Sequence, residues 1–132
     1  MLIKNDIAFV NKYKEIGLPS ETLIWIHLFR YKATEDAPAF SSPMWLHKDD
    51  EDVVFVHLID SSKNMLGGES LIATDAKNIE RVIKLEEVFD TLVVNHKKFH
   101  AVTPVGCRAI SSEDFSTRDI ILVTFQKVRK DL

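Results

Sequence analysis

A mainly β domain, a sandwich or jelly roll led by one helix, is the fold class that this sequence predicts. Three observations point there. About eight short runs rich in Val, Ile, Leu and Phe are separated by turn residues. Apolar residues at helical spacing occur only near the start of the chain. At 132 residues, with 45% hydrophobic and 28% charged content, the chain is one ordinary globular domain able to bury a core.

Lys4–Ile16 is read as an amphipathic helix. Ile7, Phe9, Val10, Tyr13 and Ile16 recur near helical spacing, Asn5 or Asp6 can cap the start, and Gly17 with Pro19 stops it. Thr22–Lys32 is a strand, apolar or aromatic on nearly every residue, so both of its faces are expected to be covered. His27 within it reads as a core or wall residue. Arg30 in the same run needs an anionic partner or an exit to solvent. That partner is either a substrate carboxylate or an internal one.

Ala33–Pro43 is a loop, broken by Pro38, Ser41, Ser42 and Pro43. Val53–Ile59 is a buried strand in which His57 is structural. Ser61–Gly68 is a turn, Glu69–Thr74 a strand, Asp75–Asn78 a turn and Val82–Leu85 a short strand. Thr91–Asn95 and Lys98–Thr103 follow Glu86–Asp90 as two strands. Pro104–Thr117 reads as a long loop, and Arg118–Lys127 is the last strand.

The chemistry starts at His47 and Asp49. On an extended chain residues i and i+2 share a face, so an imidazole and a carboxylate project together. His100, in the strand-like stretch Lys98–Thr103, is the best third ligand, with His96 next. Two His and one carboxylate form the facial triad of non-haem Fe(II) oxygenases, which leaves coordination positions open. Zinc favours three His, or two His and Glu. A lone His-x-Asp is also what solvated loop residues look like, and the run Asp49-Asp50-Glu51-Asp52 reads equally as a polar turn.

Composition narrows the classes further. A net charge of −3 carries no basic footprint for nucleic acid. Cys107 is the only cysteine and has no internal disulfide partner, which suits a reducing cytoplasm. No apolar run approaches membrane-spanning length, and the first residues are not a signal peptide.

Taken in order, His47-Lys48-Asp49, Val53–Ile59, Gly67-Gly68-Glu69-Ser70, Phe99-His100-Ala101-Val102-Thr103-Pro104 and Arg118–Phe125 resemble the bacterial Fe(II)/2-oxoglutarate dioxygenases that hydroxylate free aliphatic L-amino acids, the isoleucine 4-hydroxylase group. The resemblance runs from about Leu23 to Phe125. It implies a double-stranded β-helix, a cupin-like jelly roll. It implies Fe(II) on His47, Asp49 and His100, and 2-oxoglutarate as co-substrate with its distal carboxylate on Arg118. A guanidinium is always charged and grips a carboxylate bidentately. It also implies a tight turn at Gly67-Gly68, where glycine supplies positive φ.

Ala101 stands where the family usually has Gly, and His47-Lys48-Asp49-Asp50 where it often reads His-Arg-Asp-Gly. Members also carry more chain before the first matching strand.

The activity expected is hydroxylation of a small substrate, a free aliphatic L-amino acid, with molecular oxygen. Other classes fit some of the same residues: a catalytically inactive metal- or ligand-binding jelly roll, or a cupin-type enzyme without 2-oxoglutarate. The apolar strands exceed what one helix covers, so a homodimer is expected.

Overall fold

The computed structural model describes residues 2–13 and 21–128. Its elements are α1 (Leu2–Lys12), β1 (Thr22–Thr34), β2 (Val53–Ser61), β3 (Met65–Gly67), β4 (Ser70–Ala73), β5 (Ile79–Ile83), β6 (Thr91–Asn95), β7 (Phe99–Val102), β8 (Val105–Cys107) and β9 (Phe115–Lys127). They form a four-stranded sheet in the order β1-β9-β2-β6, a three-stranded sheet β5-β4-β7 and a pair β3-β8. Each pairing is antiparallel. This is the jelly roll that the strand pattern predicts. No helix among the described residues is long and apolar enough to cross a membrane.

Alternation along β2 divides the interior. Val53 and Phe55 turn to one face of the large sheet. There they meet Val123 and Phe125 of β9, and Val10 with Ile3, Ile7 and Phe9 of α1. Phe9 stacks edge-on against Phe55 at 5.6 Å. Val54, Val56 and Leu58 turn to the other face, toward the small sheet. One layer is therefore sealed by the helix, and the space between the sheets is left for a cavity.

The helix begins at Leu2, two residues before the expected start, so Asp6 lies inside it and caps nothing. Asp6 is buried, and its Oδ2 meets His57 Nε2 at 2.7 Å. The other ring nitrogen of His57, Nδ1, lies 2.6 Å from Thr91 Oγ1. His57 is structural, as its place in a buried strand predicts. Burial pushes the Asp6 carboxyl above its ordinary range, and the bond to His57 pulls the other way. The helical expectation for Ile16, with Gly17 and Pro19, falls outside the described residues.

Removing one member of such a pair strands the other. Asp6→Ala is expected to cost about 3–5 kcal/mol of stability, as for other broken buried pairs. Urea denaturation followed by circular dichroism measures this, and an unchanged midpoint would show that the pair does not hold the helix.

Other boundaries differ for physical reasons. The expected turn Ser61–Gly68 and loop Pro104–Thr117 contain β3 and β8, which pair with each other. Three-residue strands are too short to show a period. The short strand expected at Val82–Leu85 lies at Ile79–Ile83, and β9 starts three residues early, at Phe115. Gly67 and Gly68 adopt φ of +71° and +73° as expected, and a Cβ on Gly67 would sit 2.0 Å from the carbonyl oxygen of Pro104.

The larger correction concerns β1. It pairs with β9 along its whole length and has no described neighbour on its other edge. Leu23, Ile24, Trp25, Ile26, Leu28 and Phe29 are all exposed, Leu28 at 76%. Among the described residues, neither face of this half of the strand is covered. His27 is exposed too and stacks on Phe29 at 5.9 Å, so it is not a core residue.

Candidate metal and dicarboxylate site

His47 and His100 are brought together by backbone before any side chain acts. They form an isolated antiparallel bridge, with His47 N–H donating to His100 C=O at 3.0 Å and the reverse bond at 2.9 Å. Paired residues project to one side, and the two rings lie 4.4 Å apart. Asp49 follows His47 at i+2 and places its carboxylate between them. Its Oδ2 is 3.0 Å from His100 Nε2 and its Oδ1 is 3.4 Å from His47 Nε2.

Ligand atoms from all three residues fall within 4.8 Å of one another. Adjacent ligands about 2.1 Å from a metal lie about 3 Å apart, so modest rotations close this set on an ion. The donors, two imidazoles and one carboxylate, suit Fe(II) with positions left open.

Second contacts orient the ligands. His47 Nδ1 lies 2.7 Å from the carbonyl oxygen of Trp45. A carbonyl only accepts, so Nδ1 carries the proton and Nε2 presents its lone pair to the cluster. His100 Nδ1 is buried and has no hydrogen-bond partner among the described residues. The hydrogen bond from His100 holds the Asp49 carboxyl below its ordinary range, and burial opposes this. Asp49 is thus poised as an anionic ligand.

His96 is not part of the cluster: it is exposed, and its Nδ1 lies 3.4 Å from the carbonyl of Asp52. Asp52 itself accepts from the backbone N–H of Lys127 at 2.9 Å.

The ligands sit at one end of a cavity of about 150 Å³ between the two sheets. Val54, Val56, Leu92, Val94, Ile120 and Leu122 of the large sheet make its apolar wall. Ser70 and Val102 face them from the small sheet, and the loop Ser41–Pro43 borders it. Tyr31 also lines it, and its ring lies 5.8 Å from the Arg118 guanidinium carbon. The reason is register: Tyr31 and Arg118 are direct partners across β1 and β9.

Arg118 is 1% exposed, and its Nη1 and Nη2 have no hydrogen-bond partner among the described residues. Desolvation lowers its pKa, and Tyr31 opposes that slightly. A buried guanidinium with both terminal nitrogens bare is costly unless an anion meets it. The set therefore offers a three-ligand metal position and, within the same fold, a cation in want of a carboxylate.

Arg30 does something else. Its Nε and Nη2 each donate to the Asp119 carboxylate at 2.8 Å, and its side chain is largely exposed. Register puts Arg30 and Asp119 on the face opposite Tyr31 and Arg118. The expectation that Arg30 receives a substrate carboxylate is corrected on that ground: its partner is internal and lies on the other side of the sheet. Tyr31 and Ser70 are cavity residues that the sequence reading missed. An aromatic hydroxyl near the end of an apolar strand gave no signal without the register.

Comparison with known proteins agrees with this geometry. The family model for 2OG-Fe dioxygenases matches residues 1–124. A 3(1)-hydroxy-L-isoleucine 4-dioxygenase of Pantoea ananatis is 60% identical over 126 residues, which is 96% of this chain and 50% of that protein. An L-isoleucine-4-hydroxylase of Bacillus thuringiensis is 48% identical over 124 residues, covering 94% of this chain and 50% of that one. The crystal structure of IDO from Bacillus thuringiensis superposes with a TM-score of 0.87 at 42% identity, covering 97% of this chain and 55% of its own. The chain spans about half the length of the curated relatives it matches.

Proposed function

The chain belongs to the 2OG-Fe dioxygenase family, and from that premise we propose that it is the catalytic domain of a hydroxylase acting on a free aliphatic L-amino acid. His47, Asp49 and His100 hold Fe(II), and Arg118 receives the distal carboxylate of 2-oxoglutarate. The observation that carries this reading is the buried Arg118 guanidinium, whose two terminal nitrogens have no hydrogen-bond partner among the described residues, in a fold that also clusters three metal ligands. Iron with 2-oxoglutarate and oxygen supplies the oxidation of an unactivated C–H bond, the co-substrate leaving as succinate and carbon dioxide.

The protein's own residues do the rest. His47 and His100 would hold the metal through Nε2 and Asp49 through a carboxylate oxygen, all three at the wall of the cavity. Arg118 orients the co-substrate by a paired hydrogen bond that matches the geometry of a carboxylate. The Val, Leu and Ile wall excludes water and suits an aliphatic side chain. That wall, and relatives named for isoleucine, support the substrate class.

The test is succinate formation with Fe(II), 2-oxoglutarate and a panel of aliphatic L-amino acids, with the hydroxylated product identified by mass spectrometry. Turnover with at least one of them is expected. The apolar residues of β1 that stay exposed among the described residues favour one competing reading, a module that binds metal and 2-oxoglutarate without turnover. Tight binding of both with no succinate would establish that reading instead.

The exposed residues of β1 support self-association. A strand of 13 residues that has no described strand on its outer edge can pair antiparallel with its own copy about a two-fold axis. A dimer in sedimentation at micromolar concentration is expected, and a monomer that binds no hydrophobic dye would overturn it. Cys107, buried and free, supports a cytoplasmic location.

A further inference from the structure

Gly68 lies beside the side chain of Arg118. A Cβ built on it would lie 3.1 Å from Arg118 Cδ and 3.4 Å from Arg118 Nε. The third neighbour is Met65 Cε at 3.5 Å, an ordinary contact. Arg118 is buried, its stem therefore has little room to retreat, and the Tyr31 ring lies 5.8 Å from its guanidinium carbon. The bare Cα of Gly68 leaves the space in which the stem lies.

We propose that Gly68 is a positioning residue: by carrying no side chain it sets how far the Arg118 guanidinium reaches, and so the length of 2-oxo acid that spans from the metal to it. The inference rests on the reading of Arg118 as the co-substrate's arginine. A side chain at position 68 displaces Cδ and Nε by a few tenths of an ångström, and the error grows toward the terminal nitrogens. A carboxylate pinned at its other end by the metal cannot follow. Recognition by two parallel hydrogen bonds is the kind most sensitive to such a shift.

Calorimetry on the whole chain loaded with Mn(II), without oxygen, reads this as binding rather than activity. The probes are 2-oxoglutarate, the shorter oxaloacetate and the longer 2-oxoadipate. Gly68→Ala is expected to weaken 2-oxoglutarate about tenfold or more. It also changes the ratio of affinities among the three acids and leaves Mn(II) affinity as it was. Because Gly68 has φ of +73°, alanine also strains the turn. Gly68→Asn separates the two effects, since Asn tolerates that φ yet still carries a Cβ.

Asn that restores wild-type affinity and ratio would overturn the proposal, because strain alone would then explain the alanine variant. So would an alanine variant that melts earlier but keeps the wild-type ratio. Arg118→Lys guards the premise. If it leaves 2-oxoglutarate affinity unchanged, the assignment of Arg118 fails and the role of Gly68 with it. If it weakens binding while both Gly68 variants do not, only the role of Gly68 fails.

Discussion

His100→Ala is expected to abolish Fe(II)-dependent succinate formation while leaving the fold in place. His100 is half-buried at a cavity wall, and its main contribution to the sheet is through backbone: the bridge to His47 and the pairing of β7 with β4. Alanine keeps both. What it removes is one of three ligands, and two ligands from one short loop do not hold a metal against water. It also removes the group that most strongly lowers the Asp49 carboxyl. The same loss is expected for Asp49→Ala, which separates the two rings from their shared anion. Metal affinity by calorimetry, succinate release and circular dichroism read the three parts separately. Wild-type turnover in the His100 variant would remove it from the ligand set.

Arg118→Met is expected to do two opposite things. A buried guanidinium whose terminal nitrogens have no partner among the described residues is a standing cost to the free protein. An apolar chain of similar length relieves it, and replacing buried charges in this way has stabilised other proteins by about 1–4 kcal/mol. The variant should therefore melt higher than wild type and lose 2-oxoglutarate binding. Arg118→Lys keeps the charge without the fork and should weaken binding by roughly 1–3 kcal/mol. Thermal melts with and without 2-oxoglutarate check both halves. A Met variant that is less stable would mean Arg118 is satisfied in the free chain.

How much of this could be read from residues alone divides along sequence separation. His47 and Asp49 share a face because they are two apart, so their pairing was legible at once. His100 was legible as a histidine in a strand-like run, although the bridge that fixes it was not. Gly67-Gly68 announced a turn, and both glycines have the positive φ expected of them.

The misses all depend on distant register. Arg30 and Asp119 are 89 residues apart, and no local pattern says which carboxylate an isolated arginine meets. Tyr31 enters the cavity only because β1 pairs with β9 in the register that sets it beside Arg118. The apolar run at β1 looked like a doubly covered strand, because its composition is that of a buried one. Composition does not state whether the cover is present, and among the described residues it is not.

The most direct test of the account is a crystal structure of this chain grown with Mn(II) and 2-oxoglutarate. The account predicts one metal ion bound by His47 Nε2, Asp49 and His100 Nε2, with the keto acid on its open side. It predicts both terminal nitrogens of Arg118 on the distal carboxylate. A metal bound elsewhere, or 2-oxoglutarate whose distal carboxylate is held by another cation while Arg118 stays bare, would contradict it.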